Sequence, residues 1–495
     1  MSKRSSKRES EFLTRRHFFR HSACAALGVT GMVNTLTHLR LIGGAMAQEG
    51  GTPPGYKAIV CLYLQGGNDS SNMILPMAPQ PVYDQYAADR GDIAIDLDDG
   101  MGNLLVHPIT PNTYDDGIDY AFHPQAGDLA QLFADGNLAV VANVGSMVGP
   151  ITKQEYQQGI LVPPQLYSHS DQTVQWQSSI ADQPFQSGWG GRMADELMQT
   201  LNQNQKISMS VSLAGTNSYQ VGQETVQYQV TPDGSVSYLG YGNNYENALN
   251  PDGTYKSTLA GKRLEAFHDI MNLDPANLMQ QELGTKMYDA YLTDRTLTEA
   301  LSTVPPITTV FPDSDSADQM KMIAQLIAAR SELGQDRQIF FAQVKGYDTH
   351  ATQLSSHAAL MTEMSETIKA FYDATVELGV EDQVTTFTAS DFNRTYSPNG
   401  TGPNTGSDHA WGGHALVCGG AVDGGDIYGQ MPTLQINGPS DVDSNNGRGR
   451  WLPTTSVDEY SATLAKWFGV DPAVLPTEVF PNLGRFANPD LGFML

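Results

Sequence analysis

Five short apolar runs, separated by longer helical patterns, constrain this chain most. They are Ala58–Leu64, Leu138–Val144, Ile339–Val344, Val384–Thr388 and Ala415–Cys418. Each is brief and rich in β-branched and aromatic residues, the pattern of parallel strands buried on both faces. Between and around them the spacing predicts helices over Gly191–Leu201, Ser257–Met271, Ala317–Leu333, Gln353–Leu378 and Val457–Phe468. The last opens with Ser456 and Glu459 three residues apart, a capping-box pattern, and Gly469 stands ready to stop it. Strands that alternate with helices predict an α/β layered sheet, mostly parallel, with helices on both faces. Residues 207–255 differ: Val, Tyr, Gln, Gly and Asn dominate, and Pro232-Asp233-Gly234 and Pro251-Asp252-Gly253 are turn signals. This reads as a β-rich insertion, a hairpin region or cap within one domain. Thr303–Ser316 reads as a Pro/Asp/Ser linker.

The N-terminus carries an address. Thr14-Arg15-Arg16-His17-Phe18-Phe19-Arg20 is a twin-arginine export signal, preceded by Lys3, Arg4, Lys7 and Arg8. A mildly apolar stretch from Ala23 to Ile42 follows, and Ala45-Met46-Ala47 reads as an A-x-A cleavage site. Asn34, His38 and Arg40 interrupt the apolar stretch, which argues for cleavage rather than a stable span. The expectation is a signal peptide over residues 1–47 and one mature domain over 48–495, released to the periplasm or beyond. The partner implied during export is the twin-arginine translocase. That route carries folded proteins, so it suits a chain loaded with a metal before export.

Removing residues 1–47 takes away eight Lys/Arg and two Asp/Glu, so the net charge moves from −26 to −32. Such a charge repels nucleic acid and anionic lipid, and no nucleic-acid partner or membrane insertion is expected of the mature chain. Cys61 and Cys418 both sit in apolar runs and read as buried, inert thiols. No dinucleotide fingerprint, haem-attachment motif or cysteine cluster supports redox chemistry.

Polar clusters recur beside the predicted strands. Gln65-Gly66-Gly67-Asn68-Asp69-Ser70 follows the first run, and Gly346-Tyr347-Asp348-Thr349-His350 follows Ile339–Val344. Ser390-Asp391-Phe392-Asn393-Arg394 follows Val384–Thr388, and Asp408-His409-Ala410-Trp411-Gly412-Gly413-His414 precedes Ala415–Cys418. Ser168-His169-Ser170-Asp171-Gln172 lies between the second and third runs. A parallel sheet gathers ligands at the carboxyl ends of its strands. Carboxylates with imidazoles suit Zn²⁺ or Mn²⁺, and carboxylates with carbonyls suit Ca²⁺ or Mg²⁺. Asp96-Leu97-Asp98-Asp99-Gly100 lacks the spacing of a calcium loop and reads as a solvated acidic turn.

These clusters, with Gly188-Trp189-Gly190-Gly191-Arg192 and Pro453-Thr454-Thr455-Ser456, resemble the bacterial family called domain of unknown function 1501 over nearly all of the mature chain. The family is grouped with the alkaline phosphatase and sulfatase superfamily. The resemblance therefore implies an alkaline-phosphatase-like fold and metal-assisted hydrolysis. It implies Asp69, Asp348, His350 and Asp391 as ligands of a divalent metal, with His409 or His414 completing the first site. Phe392 stands where a second-site imidazole is expected. Ser168, at a helix start, is the implied nucleophile, with Ser70 as a second candidate. Arg394 is a candidate clamp for a phosphate or sulfate oxygen, or else the partner of a neighbouring carboxylate.

The expectation is an exported metal-dependent hydrolase of phosphate or sulfate esters, acting on a small anionic substrate. Its rival is a non-catalytic exported protein of the cell envelope that keeps the fold and binds a partner.

Overall fold

The computed structural model describes residues 55–495 except 204, 236, 274–276 and 444–446. The signal-peptide reading of residues 1–47 lies outside the described residues. Among the described residues, a mixed, mostly parallel sheet of ten strands forms the centre. In chain order the strands of the fold are β1 (Lys57–Gln65), β2 (Ile74–Ala78), β3 (His107–Ile109), β4 (Asp119–Phe122), β5 (Leu138–Gly145), β6 (Ser210–Ser212) and β7 (Tyr228–Thr231). Then come β8 (Gly234–Ser235), β9 (Arg337–Lys345), β10 (Val384–Ser390), β11 (Gly413–Cys418), β12 (Ile427–Tyr428) and β13 (Thr455–Ser456). The main sheet runs β12-β5-β11-β10-β1-β9-β6-β7-β8, with β13 also on β5; β2, β4 and β3 form a small antiparallel sheet.

Strand β1 sits between β9 and β10, parallel to both. Its side chains alternate between two cores. Ala58, Val60, Leu62 and Leu64 pack with the helices Gly127–Ala134, Asp315–Ala328 and Gln353–Glu377. Ile59, Cys61 and Tyr63 pack with Trp189–Leu201 and Val457–Phe468. A period of two with both faces apolar is what a strand sandwiched by helices requires. Both described cysteines are free and buried, as read from the sequence.

The structure corrects one strand. Ala415–Cys418 was expected to be parallel, but β11 runs antiparallel to both β10 and β5. A strand buried on both faces carries the same residue types in either direction, so composition cannot give its sense. The reversal has a consequence for the site. The start of β11 lies at the same sheet edge as the ends of β1, β9 and β10, so residues 408–412 join the loops that follow those strands.

The 207–255 segment adds β6 and β7 to the edge of the main sheet, with β8 turning back on β7. The helix Leu278–Thr303, 26 residues long, has no counterpart among the sequence-based helices. Its buried side offers only Gly284, Tyr291, Asp294, Leu297 and Ala300, while Leu278, Met279 and Leu283 are exposed, so its apolar period is blurred. The Ser456–Glu459 capping box forms, and Gly469 ends its helix at φ +115°. No helix among the described residues is long and apolar enough to cross a membrane.

Candidate metal centre

Three loops and one helix start meet at the sheet edge. The turn after β1 comes first. Gly66 adopts φ +114° and Gly67 φ +87°. A Cβ on Gly66 would stand 2.4 Å from the Asp348 backbone nitrogen, and one on Gly67 would stand 2.6 Å from the Phe392 ring. Only glycine allows both the left-handed backbone and the close approach. The turn lets the Gly66 N–H donate to Asp391 Oδ1 (3.2 Å) while its carbonyl accepts from Arg394 Nη1 (3.3 Å).

After β10 the chain runs through Asp391, Phe392 and Arg394 and pairs with residues 408–411 returning toward β11. Thr395 donates to the Asp408 carbonyl (2.8 Å) and Ala410 to the Asn393 carbonyl (2.8 Å). This short ladder sets His409 opposite Arg394. The buried Phe392 ring lies 4.5 Å from the His409 ring and 4.7 Å from the His169 ring, a platform under both imidazoles.

Asp348 Oδ1 is the point of convergence. Arg394 Nη1 lies 2.7 Å from it, His350 Nε2 3.0 Å, His409 Nε2 3.4 Å and His169 Nε2 3.5 Å. His169, Asp348 and His409 offer ligand atoms within 4.8 Å of one another. The Nε2 atoms of His350 and His409 face each other at 2.9 Å.

Each imidazole is held from behind at Nδ1. His169 meets Asp391 Oδ2 at 2.7 Å, His350 meets Asp408 Oδ1 at 3.1 Å, and His409 meets the Tyr167 carbonyl at 2.7 Å. Carboxylates and carbonyls only accept, so all three Nδ1 atoms carry the proton and donate. In the neutral rings that assignment leaves the Nε2 atoms as lone-pair donors aimed toward one carboxylate. Imidazole ligands held this way, by a second acceptor at the far nitrogen, are the usual construction of a metal site.

The charges act on these groups in different directions. Burial raises the Asp348 carboxyl, but the Arg394 hydrogen bond and charge outweigh it and hold the group below the usual carboxylate range. Burial likewise acts on Asp408, yet Arg448, which donates to it, brings it down to about 2. Burial pushes His409 down, toward neutral imidazole. The hydrogen bond to Asp391 pushes His169 up, against its partial burial.

Sequence comparison places residues 56–446 within the family described as "Protein of unknown function (DUF1501)". The chain belongs to this family. No curated protein matches it. Among solved structures it is similar to the crystal structure of Ps i-CgsB in complex with k-i-k-neocarrahexaose, at 8% identity and a TM-score of 0.32. That likeness covers 88% of this chain and 78% of the other, and it is too loose to carry an argument about fold or activity.

Within this member of the family, the sequence-derived metal candidates sort into three groups. Asp348, His350 and His409 come together as ligand candidates. Asp391 stands one step behind: it is buried, and it accepts from Tyr63 Oη (2.8 Å), Gly66 and His169. It holds an imidazole rather than the common point.

Asp69 and His414 lie apart. Asp69 is fully buried, and its Oδ2 is taken by Arg90 and Gln353. The carboxylate read as a metal ligand is thus neutralised by a guanidinium. His414 accepts from the Asn143 N–H at Nδ1 (3.1 Å), is pushed down to about 4 by burial, and lines a small internal cavity with Ser70, Trp176 and Trp411. Ser168 occupies the N-cap position of the helix His169–Ser178, but its hydroxyl donates to Asp171 and caps no backbone amide. Both arms of Arg394 are on protein acceptors: Nη1 on Asp348 and Gly66, Nη2 on Ser407. Its guanidinium orients Asp348 and does not reach outward as a clamp.

His169 is the residue that sequence reasoning passed over. The run Ser168-His169-Ser170-Asp171 draws attention to its hydroxyls and its helix-start pattern. The available signal was an imidazole inside a polar cluster at a helix start.

Proposed function

We propose that this protein is a metal-dependent hydrolase of phosphate or sulfate esters, with one divalent ion held by Asp348, His350 and His409. The alkaline-phosphatase-like architecture implied by the sequence resemblance belongs to the same proposal. One observation carries the reading. Two imidazole lone pairs face each other at 2.9 Å, beside a carboxylate oxygen at 3.0 and 3.4 Å, with both imidazole protons committed to the opposite nitrogens. Three electron-rich atoms so placed repel one another unless a cation or a proton lies among them. Ligands about 2.1 Å from a metal stand roughly 3.0–3.4 Å from one another at octahedral and tetrahedral angles, which these separations match. Imidazole donors favour Zn²⁺ or Mn²⁺ over Ca²⁺ or Mg²⁺.

The ion would supply Lewis-acid polarisation of the ester and a counter-charge for its oxygens. The rest falls to the chain. Arg394 fixes the Asp348 oxygen, and Asp408 and the Tyr167 carbonyl fix the two imidazole tautomers. The side chains of Asp348 and His350 are 46% and 43% exposed, so an anionic ester can approach from solvent. Asp69 with its Arg90 counter-ion, and Phe392 in place of an imidazole, both favour a single ion over a pair.

The test is elemental mass spectrometry on protein purified without chelator, followed by a screen of phosphate and sulfate monoesters. One Zn or Mn per chain is expected, lost in His409→Ala and Asp348→Ala and retained in His414→Ala. Absence of any bound or titratable ion in the folded wild type would overturn the reading and favour the non-catalytic envelope role.

A further inference from the structure

One nitrogen at the centre, though within ligand reach of Asp348 and His409, is not needed by the Asp348–His350–His409 set. His169 Nε2 is buried and has no hydrogen-bond partner among the described residues; the nearest charged atom is Asp348 Oδ1 at 3.5 Å. Its ring cannot turn away. Nδ1 is bonded to Asp391, whose other oxygen is held by Tyr63 and Gly66, while the Phe392 and His409 rings close on its sides at 4.7 and 4.4 Å. Asp391 is 2% exposed, so its charge acts on the imidazole with little screening.

The helix start beside His169 suits an anion. His169 is the first residue of a ten-residue helix, and no side chain caps that helix's first-turn amides because the Ser168 hydroxyl is spent on Asp171. Free amides and the positive end of the helix dipole bind phosphate oxygens. The same bond to Asp171 removes Ser168 as a free nucleophile.

Resting on the hydrolase reading above, we infer that His169 Nε2 is the nucleophile, and that the enzyme works through a phosphohistidine formed on a phosphate monoester. The Nε2 lone pair bonds to phosphorus as the bond from phosphorus to the ester oxygen breaks. The departing alkoxide takes a proton from solvent water. Asp391 keeps the proton on Nδ1 and balances the positive charge of the phosphorylated ring. A second water then attacks phosphorus and loses a proton to solvent. The phosphorus–nitrogen bond breaks, its electron pair returns to Nε2, and phosphate leaves. No oxidation state changes.

The experiment uses the mature, metal-loaded protein with 4-nitrophenyl phosphate. Single turnovers are quenched in base, which preserves phosphohistidine, and peptides are read by mass spectrometry. His169→Gly is assayed beside the wild type, for metal content and for rescue by added imidazole. The expected result is one phosphoryl group on the His169 peptide of the wild type. The variant should keep its metal and lose hydrolysis by about 10³-fold or more, and imidazole should restore activity with phosphoimidazole as a product. Rescue with phosphoimidazole supports the inference even where the wild-type adduct turns over too fast to trap. A variant that loses its metal makes His169 a ligand and overturns it. Hydrolysis by wild type with neither adduct nor rescue also overturns it, while leaving the hydrolase reading intact. A wild type that binds metal but cleaves no ester overturns both.

Discussion

The Asp69–Arg90 pair gives the sharpest test of how the carboxylates divide their work. Both side chains are fully buried, and Arg90 also donates to Asn72 Oδ1 (3.2 Å) and to the carbonyls of Thr395 (3.3 Å) and Tyr396 (2.9 Å). Arg90→Met would strand the Asp69 carboxylate in the interior with only Gln353 to meet it, and would leave the Thr395 and Tyr396 carbonyls without that donor, while Asn72 Oδ1 keeps the Tyr86 hydroxyl. Removing one partner of a buried pair costs about 3–5 kcal/mol, and the lost bonds to Asn72, Thr395 and Tyr396 place this pair toward the upper end. Asp69→Asn relieves part of that cost, so the double variant should be more stable than Arg90→Met alone, a coupling of about 1–3 kcal/mol in a double-mutant cycle. Urea unfolding of the four proteins measures it, with elemental analysis run in parallel. Metal content should not change in Asp69→Asn. Loss of metal from that variant, at unchanged stability, would refute the structural role and return Asp69 to the ligand set.

Two further outcomes are expected. Asp458 is buried, and desolvation, outweighing its bond to Ser179 and the charge of Arg192, raises its pKa to about 8, so the folded protein holds a proton that the unfolded chain releases near pH 4. Stability should therefore fall as pH rises from about 4 to about 8, by about 1.4 kcal/mol per unit from this group. Asp458→Asn should remove that slope and gain on the wild type most at pH 8; parallel stability–pH curves for the two proteins would contradict this. Gly67→Ala should cost about 2–4 kcal/mol, since φ +87° and the 2.6 Å approach to Phe392 both oppose a Cβ. It should also weaken metal binding, because the displaced ring supports His409, and a metal titration of the folded variant measures that loss.

The sheet was legible because its strands are buried on both faces. Ile59, Cys61 and Tyr63 alternate with Val60 and Leu62 and leave no polar face to confuse the pattern. The clusters at the sheet edge were legible for the same reason, since short apolar runs fix where each strand ends. Direction was not legible for β11, and the blurred face of Leu278–Thr303 concealed a long helix. Partners distant in sequence were hidden altogether. Asp391 and His169 are 222 residues apart, and nothing near either predicts their 2.7 Å contact. Arg90 lies 21 residues from Asp69, in a helix that carries no sign of reaching back to it.

Phe392 shows why a missing residue type is a weak guide to lost function. Read from the sequence, it removes an imidazole from a two-metal pattern and points toward a degenerate site. In the fold its ring supports His169 and His409, and Gly67 is glycine because that ring needs the space. Asp391, without a neighbouring imidazole to share an ion, is free to hold His169. A residue that offers no ligand atom therefore supports two imidazoles, and the carboxylate beside it positions one of them. Here the position is filled by a buried aromatic ring in contact with two of the three convergent histidines, so a residue that adds no ligand atom still fixes where those imidazoles stand.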